Sequence, residues 1–526
     1  MTWRTMAMTG VLALSGALAG PLAGAADAPL ADAIRAGDRA TALQLLRAGS
    51  DVNAAQPDGT TPLHWAVHAV DSELAQALLA KGAKAEARNS FGATPLIEAA
   101  KAADVGLVRA LLKAGAKADT ANEDGETPLM LAANTGVVDV AKELVKAGAK
   151  VNAKEAWRGQ TPLMWAAGSA RADMVAFLVG KGADVNLRAA VNDFATQVTS
   201  EPRAQYRPTG GLTPLLYAAR SGCGACVASL LKAGADIDRP TPDGVTPLMT
   251  AIDNFHYDVA KQLLGAGANP HVQDWWGRTA LYVATDMNSF GPRGGGAVQR
   301  GAKPAGALDV MQALLGKGVN PNPQLVMHRP GRGGNSGRFT DDLLTVGATP
   351  LLRAAIGYDT EAIRLLLDHG ALVDLPNAMG VTPLMAAAGL GVSTRDPRGN
   401  YAGDVQERAL ATMDVLVKAG ADVNARVADT TRHTARIARP STMTDREGQT
   451  AIYGPINWGW SKVVQYLLDK GSRVDLVDAA GKSPLDAANG NAGGRDYKAT
   501  PEVLAMIQKA GGKAGTPSTP TARSGG

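Results

Sequence analysis

The chain has 526 residues, enough for several globular domains or one extended array. Hydrophobic residues make up an ordinary 45%, but aromatics only 4%, and 61 glycines accompany abundant alanine, which favours close packing of small side chains over one large core. A net charge of +4 on this length is too weak to imply nucleic acid or a membrane surface as partner.

The first segment, residues 1–25, has the layout of a secretory signal peptide. Arg4 supplies the positive n-region, Val11 to Leu18 the apolar h-region, and Ala23-Gly24-Ala25 a small-residue cleavage site. Ser15, Gly16 and Pro21 interrupt the apolar run, which falls short of the roughly 18 residues that a membrane anchor needs. No cysteine follows the cleavage site, so a lipid anchor is not expected, and no later segment is long and apolar enough to span. The mature chain is expected to be soluble and outside the cytoplasm, periplasmic or secreted.

From Ala26 onward the chain repeats itself. Ala28-Pro29-Leu30 opens the series, followed by Thr61-Pro62-Leu63, Thr94-Pro95-Leu96, Thr127-Pro128-Leu129, Thr161-Pro162-Leu163, Thr213-Pro214-Leu215 and Thr246-Pro247-Leu248. Thr349-Pro350-Leu351 and Thr382-Pro383-Leu384 continue it, with degenerate copies at Thr279-Ala280-Leu281, Thr450-Ala451-Ile452 and Ser483-Pro484-Leu485. Most of the intervals between these twelve copies are 33 residues, one is 34, and the rest are longer.

Each copy reads as a helix pair. Threonine is an N-cap whose hydroxyl accepts from an exposed helix amide, and proline at the first helical position loses no hydrogen bond. A short helix of small residues follows. A second helix begins near Leu74, Leu107, Val140, Met174, Cys226, Val259 or Val463, and pairs such as Leu78-Leu79 and Leu111-Leu112 bury its inner face. A glycine such as Gly82, Gly115, Gly148, Gly182 or Gly234 ends it in the left-handed conformation. "ADVN" or a variant leads out, and a Gly turn leads back to the next threonine. One such pair cannot bury its apolar face alone, so neighbours must stack into a solenoid.

This pattern resembles the ankyrin-repeat family from about Ala26 to Gly511, and "TPLHWA" at Thr61 to Ala66 is close to that family's signature. The resemblance implies an all-α repeat, an ankyrin solenoid of about twelve helix-turn-helix units. It also implies β-hairpin fingers that join successive pairs and project toward a concave binding face. Only His64 keeps the family's histidine after "TPL"; Met130, Met164, Met249 and Met385 replace it, which is expected to weaken a polar tie within each repeat.

The longer intervals locate insertions. Those at about 187–212, 320–346 and 426–446 lengthen fingers; those at about 288–306 and 391–405 fall between the two helices of a repeat. The basic, glycine-rich stretch "HRPGRGGNSGRF", His328 to Phe339, is therefore an elongated finger. A phosphate cradle would need a strand before the glycines and a helix opening on them, and an RGG-type tail would be longer, repeated and terminal. A solvated loop and a partner-binding loop both remain open. Residues 512–526 have no apolar period and are expected to be a disordered tail.

No HExxH, paired CxxC, GxSxG or kinase motif is present, so neither an enzyme nor a metal or other cofactor is expected. Cys223 and Cys226 form a lone CxxC, which outside the cytoplasm is expected to close as a local disulfide; a buried free thiol and a redox or metal role are the alternatives. Trp65 and Trp165 share one helix position and read as packing. Phe91, Trp157 and the pair Trp275-Trp276 fall at finger tips, where little core lies beneath them. They are candidate binding residues, with packing between fingers as the competing reading. Trp458, where a first helix meets the concave side, is a further candidate. The Trp275-Trp276 finger precedes the long one bearing Arg329, Arg332 and Arg338, so the two are expected to border one another.

The sequence thus points to an exported, monomeric scaffold that binds a protein partner through its concave face and fingers. The alternative destination is another cell, as a secreted effector acting on its proteins. A nucleic-acid binder would need a continuous arginine track, which Asp341, Asp342, Asp429 and Asp445 interrupt.

Overall fold

The computed structural model describes residues 28–192, 209–289, 306–326, 343–344, 346–390, 405–428, 446–490 and 500–516. These contain 24 helices in antiparallel pairs. They fall into two compact units, residues 28–192 with 209–242, and residues 243–516, with six helix pairs each.

Within each unit, first helices pack on first helices and second on second. Pro62–His68 lies against Pro95–Ala102, and Ser72–Ala80 against Val105–Lys113. The repeated TPL triplet explains the entry to each first helix. Thr94, Thr213 and Thr349 accept from the backbone amides of Ile97, Leu216 and Leu352, at 3.4, 3.3 and 3.1 Å. A cap of this kind is worth about 1 kcal/mol. Leucine at the third position (Leu63, Leu96, Leu129, Leu163) is wholly buried, and so is an alanine three residues later (Ala66, Ala99, Ala132, Ala166). A methyl at that position lets neighbouring helices approach closely, which accounts for the alanine-rich, aromatic-poor composition. Each fully buried leucine contributes about 1.5–3 kcal/mol.

The segment after each second helix stitches repeats together. Asn152 donates to the Gly182 carbonyl (3.3 Å) and accepts from the Asp184 amide (2.9 Å). Asn53, Asn186, Asn322 and Asn424 make the same double contact one repeat ahead. Gly82, at φ 87°, stands in the left-handed region its position requires.

Several expectations change in detail. Met130, Met164 and Met385 keep the tie to the threonine amide in a weaker form, with each sulfur accepting from that N–H at 3.5 Å. What they lack is the second ring nitrogen: His64 Nδ1 bonds Thr61, while Nε2 reaches the Ala93 carbonyl at 3.1 Å, on the next finger. Thr450 does not cap its helix, which starts later, at Tyr453–Trp458, with Ile452 as N-cap. The missing proline does not by itself explain this, since Thr279, also without one, accepts from the Tyr282 amide at 3.3 Å and starts its helix at Ala280. The tail is not free from residue 512: the Gly515 amide donates to Asp486 at 2.7 Å, so residues 512–516 lie against the last repeat, and residues 517–526 are outside the described set.

Candidate partner-binding surface

Finger tips are positioned by a polar residue at the start of each turn. The Asn89 side-chain oxygen accepts from the Phe91 and Ala93 amides, and Asp274 accepts from Trp276 and Arg278. Asn377 and Asp478 act in the same way, and Glu155 takes three amides, those of Trp157, Arg158 and Gln160. Sequence reading missed these anchors, although a polar residue five positions before the threonine marks most of them.

Neighbouring fingers then join through backbone bonds. In the first unit the Ser90, Glu123, Ala156 and Ala190 amides donate to the carbonyls of Asp58, Phe91, Asp124 and Arg158, at 2.7, 3.4, 2.9 and 2.6 Å. The approach is tight: at Gly125, φ 79°, a Cβ would come within 2.6 Å of the Ala156 nitrogen. The insertion at 187–212 lengthens the last finger of this row, with Val191–Asn192 pairing antiparallel to Thr209–Gly210. Phe91 and Trp157 are left 68% and 77% exposed, and Val191 46%. On the adjoining helix face Trp65, Glu98, Leu131 and Trp165 are half-buried, one per repeat. Trp65 donates to Gln56 and lies under Arg35, as its reading as a packing residue requires.

In the second unit the tryptophan pair divides. Trp275 is exposed, at 39%, but Trp276 is buried, at 5%. This corrects the expectation that both form an exposed anchor. The Trp276 ring lies under the Arg278 guanidinium (5.2 Å), and its carbonyl accepts from the Val326 amide, on the stem of the next finger. That finger is the one expected to carry Arg329, Arg332 and Arg338, and these three residues lie outside the described set. Trp458 is half-buried at a helix end, 6.4 Å from the Trp460 ring.

Arg278 belongs to a buried polar cluster that sequence reading did not find. Its Nε meets Asp274 at 2.6 Å and its Nη2 meets Asp253 at 3.4 Å. Nearby, Arg353 pairs with Asp286 at 2.6 Å, and Asp359 accepts from Asn288 and Ser289. Burial would lower the pKa of Arg278, yet the carboxylates of Asp253 and Asp274 hold it above its usual range. Burial pushes the Asp274 carboxyl up, and Arg278 only partly offsets this. Every residue of the helix Ala280–Asn288 is buried, in contrast to the half-open helix face of the first unit.

Cys223 and Cys226 are joined by a disulfide with Cα atoms 5.2 Å apart. The Cys223 sulfur also accepts from the Cys226 amide at 3.2 Å, as the carboxylates of Asp38, Asp71 and Asp104 do at the same helix start in other repeats. So short a loop removes little chain entropy, so reduction is expected to cost only about 1–2 kcal/mol. In protein taken from its native compartment both thiols should resist alkylation until a reductant is added; ready labelling without one would argue against the bridge.

Among the described residues, no helix is long and apolar enough to cross a membrane, and no cluster of His, Cys, Asp and Glu is arranged to hold a metal.

A family model described as ankyrin repeats (3 copies) matches residues 30–122, 101–189, 192–274 and 297–394. Mouse B-cell lymphoma 3 protein homolog is 40% identical over 76 residues, 14% of this chain and 17% of that protein. The Caenorhabditis elegans ankyrin repeat and KH domain-containing protein mask-1 is 29% identical over 157 residues, 27% of this chain and 5% of that one. The matches thus span 17% and 5% of these relatives' lengths. Among solved structures, the human ASB11 ankyrin repeat domain is 26% identical with a TM-score of 0.39, and the match covers 46% of this chain and 100% of that one.

Proposed function

The chain belongs to the ankyrin-repeat family, and on that premise we propose that it is an exported scaffold that binds a protein partner and carries out no chemistry of its own. The observation that carries this reading is the finger row of the first unit. Phe91 and Trp157, at 68% and 77% exposure, are the most exposed large hydrophobic side chains among the described residues. Rigid anchors hold their backbones, so little ordering entropy opposes binding. Aromatic side chains presented in this way are the usual hot spots of protein interfaces. Export rests on Arg4, the apolar run Val11 to Leu18 and the Ala23-Gly24-Ala25 site, and the paired cysteines suit an oxidising compartment such as the periplasm of a Gram-negative bacterium.

Affinity purification of the mature chain from its native envelope fraction tests both parts. The Phe91→Ala, Trp157→Ala double variant is expected to lose about 2 kcal/mol or more of partner affinity while its circular-dichroism melt stays unchanged. Retention of the same partner at the same affinity would remove the finger row from consideration. Recovery of an uncleaved chain from the cytoplasm would overturn export.

A further inference from the structure

The finger row also carries charge, in a fixed order. Asp58, Phe91, Glu123, Asp124 and Trp157 are all exposed. The Glu123 amide bonds directly to the Phe91 carbonyl, and the Ala156 amide, next to Trp157, to the Asp124 carbonyl. The two carboxylates therefore sit on the finger between the two aromatic ones. Arg158 is the exposed base at these tips, against three exposed acids. Arg88 and Lys154, both exposed and one residue before their tip anchors, are committed to the Ala121 and Arg188 carbonyls.

We infer that the first unit recognises an extended basic segment of its partner, in which two apolar side chains flank lysine or arginine. This rests on the protein-binding reading above and names the chemistry of the partner. Neighbouring repeats pack with helix axes about 8–10 Å apart, so Phe91 and Trp157, two fingers apart, are separated by roughly 20 Å. An extended chain advances about 3.3 Å per residue, which places the two apolar residues about six positions apart. The basic side chains fall midway, over Glu123 and Asp124. An acidic segment would meet the like charge of Glu123 and Asp124 there, as would a nucleic-acid backbone.

The test uses the full mature chain and a randomised decapeptide library displayed on phage. Selected peptides are expected to carry lysine or arginine between two apolar residues about six apart. The best of them, made synthetically, should bind the Glu123→Lys, Asp124→Lys variant at least tenfold more weakly. Its affinity for the wild-type chain should fall steeply with salt. Both substituted side chains are exposed, so an unchanged melt is expected to show that the fold is intact. Selection of acidic or uncharged peptides, equal binding to the variant, no enrichment at all, or self-association of the chain through these fingers would overturn the inference. If the inference fails while the aromatic double variant still loses its natural partner, the protein-binding reading stands and only the basic chemistry is wrong. Loss of both removes both.

Discussion

Trp276→Ala is expected to destabilise the second unit by about 3–5 kcal/mol, the range for truncating a buried aromatic. Trp275→Ala should change stability by less than about 0.5 kcal/mol. The two residues are adjacent in sequence and occupy opposite environments. The Trp276 ring is 5% exposed, stacked beneath Arg278, with its carbonyl held by the Val326 amide. Its removal leaves a cavity and uncovers a buried guanidinium. Coupling in a repeat array runs between neighbours, so the loss should appear first as local opening of the helices flanking the 274–278 finger. Amide hydrogen exchange at Gly277 and across Ala280–Asn288 reads this directly. Protection equal to wild type, together with an unshifted melt, would mean that the ring contributes nothing to packing. Of the two tryptophans, only Trp275 is exposed enough to touch a partner.

The different environments of Phe91 and Trp276 show where sequence stops being informative. Both directly precede a turn glycine and both follow a polar tip anchor, Asn89 or Asp274. On pattern alone they should behave alike, yet one is exposed and the other buried. Two features separate them, one local and one not. The residue after the glycine is Ala93 in one finger and Arg278, which stacks on the ring, in the other. The neighbouring finger is a short turn at Asn122 in one case and the stem of a long insertion at Val326 in the other. The first departs from the repeating pattern, and the second lies in the next repeat. By contrast, caps, leucines, small alanines and terminal glycines depend only on contacts that recur every 33 residues, so the helix pairs were legible. Thr450 is the exception, and the triplet alone does not predict it: Thr279 also lacks a following proline, yet it caps the helix Ala280–Asn288. The ion pairs of Arg278 and Arg353 were invisible because neither recurs with the period. The Asp286–Arg353 pair joins two repeats, whose meeting depends on the stack, and the Arg278–Asp274 pair joins two residues of one finger tip that no other repeat carries.

Arg278→Met should cost about 3–5 kcal/mol at neutral pH, because removing one partner of a buried pair leaves the other charge uncompensated. The pH dependence gives the result its diagnostic value. Burial already holds the Asp274 carboxyl above its ordinary value of 3.8 with Arg278 in place. Without the guanidinium that shift should grow. A carboxyl whose folded pKa is raised binds its proton more tightly in the folded state. Its contribution favours folding below the unfolded carboxylate range and is lost as pH rises through the folded value. The variant should therefore melt well below wild type at pH 7 and regain part of the difference toward pH 5. Adding Asp274→Asn should restore stability and flatten the profile. The asparagine oxygen still accepts from the amides of residues 276 and 278, as Asn89 and Asn377 do at the same turn position, and no buried carboxylate then remains beside Trp276. A single variant whose deficit is the same at pH 5 and pH 7 would show that Arg278 matters for its packing on Trp276 and not for its charge.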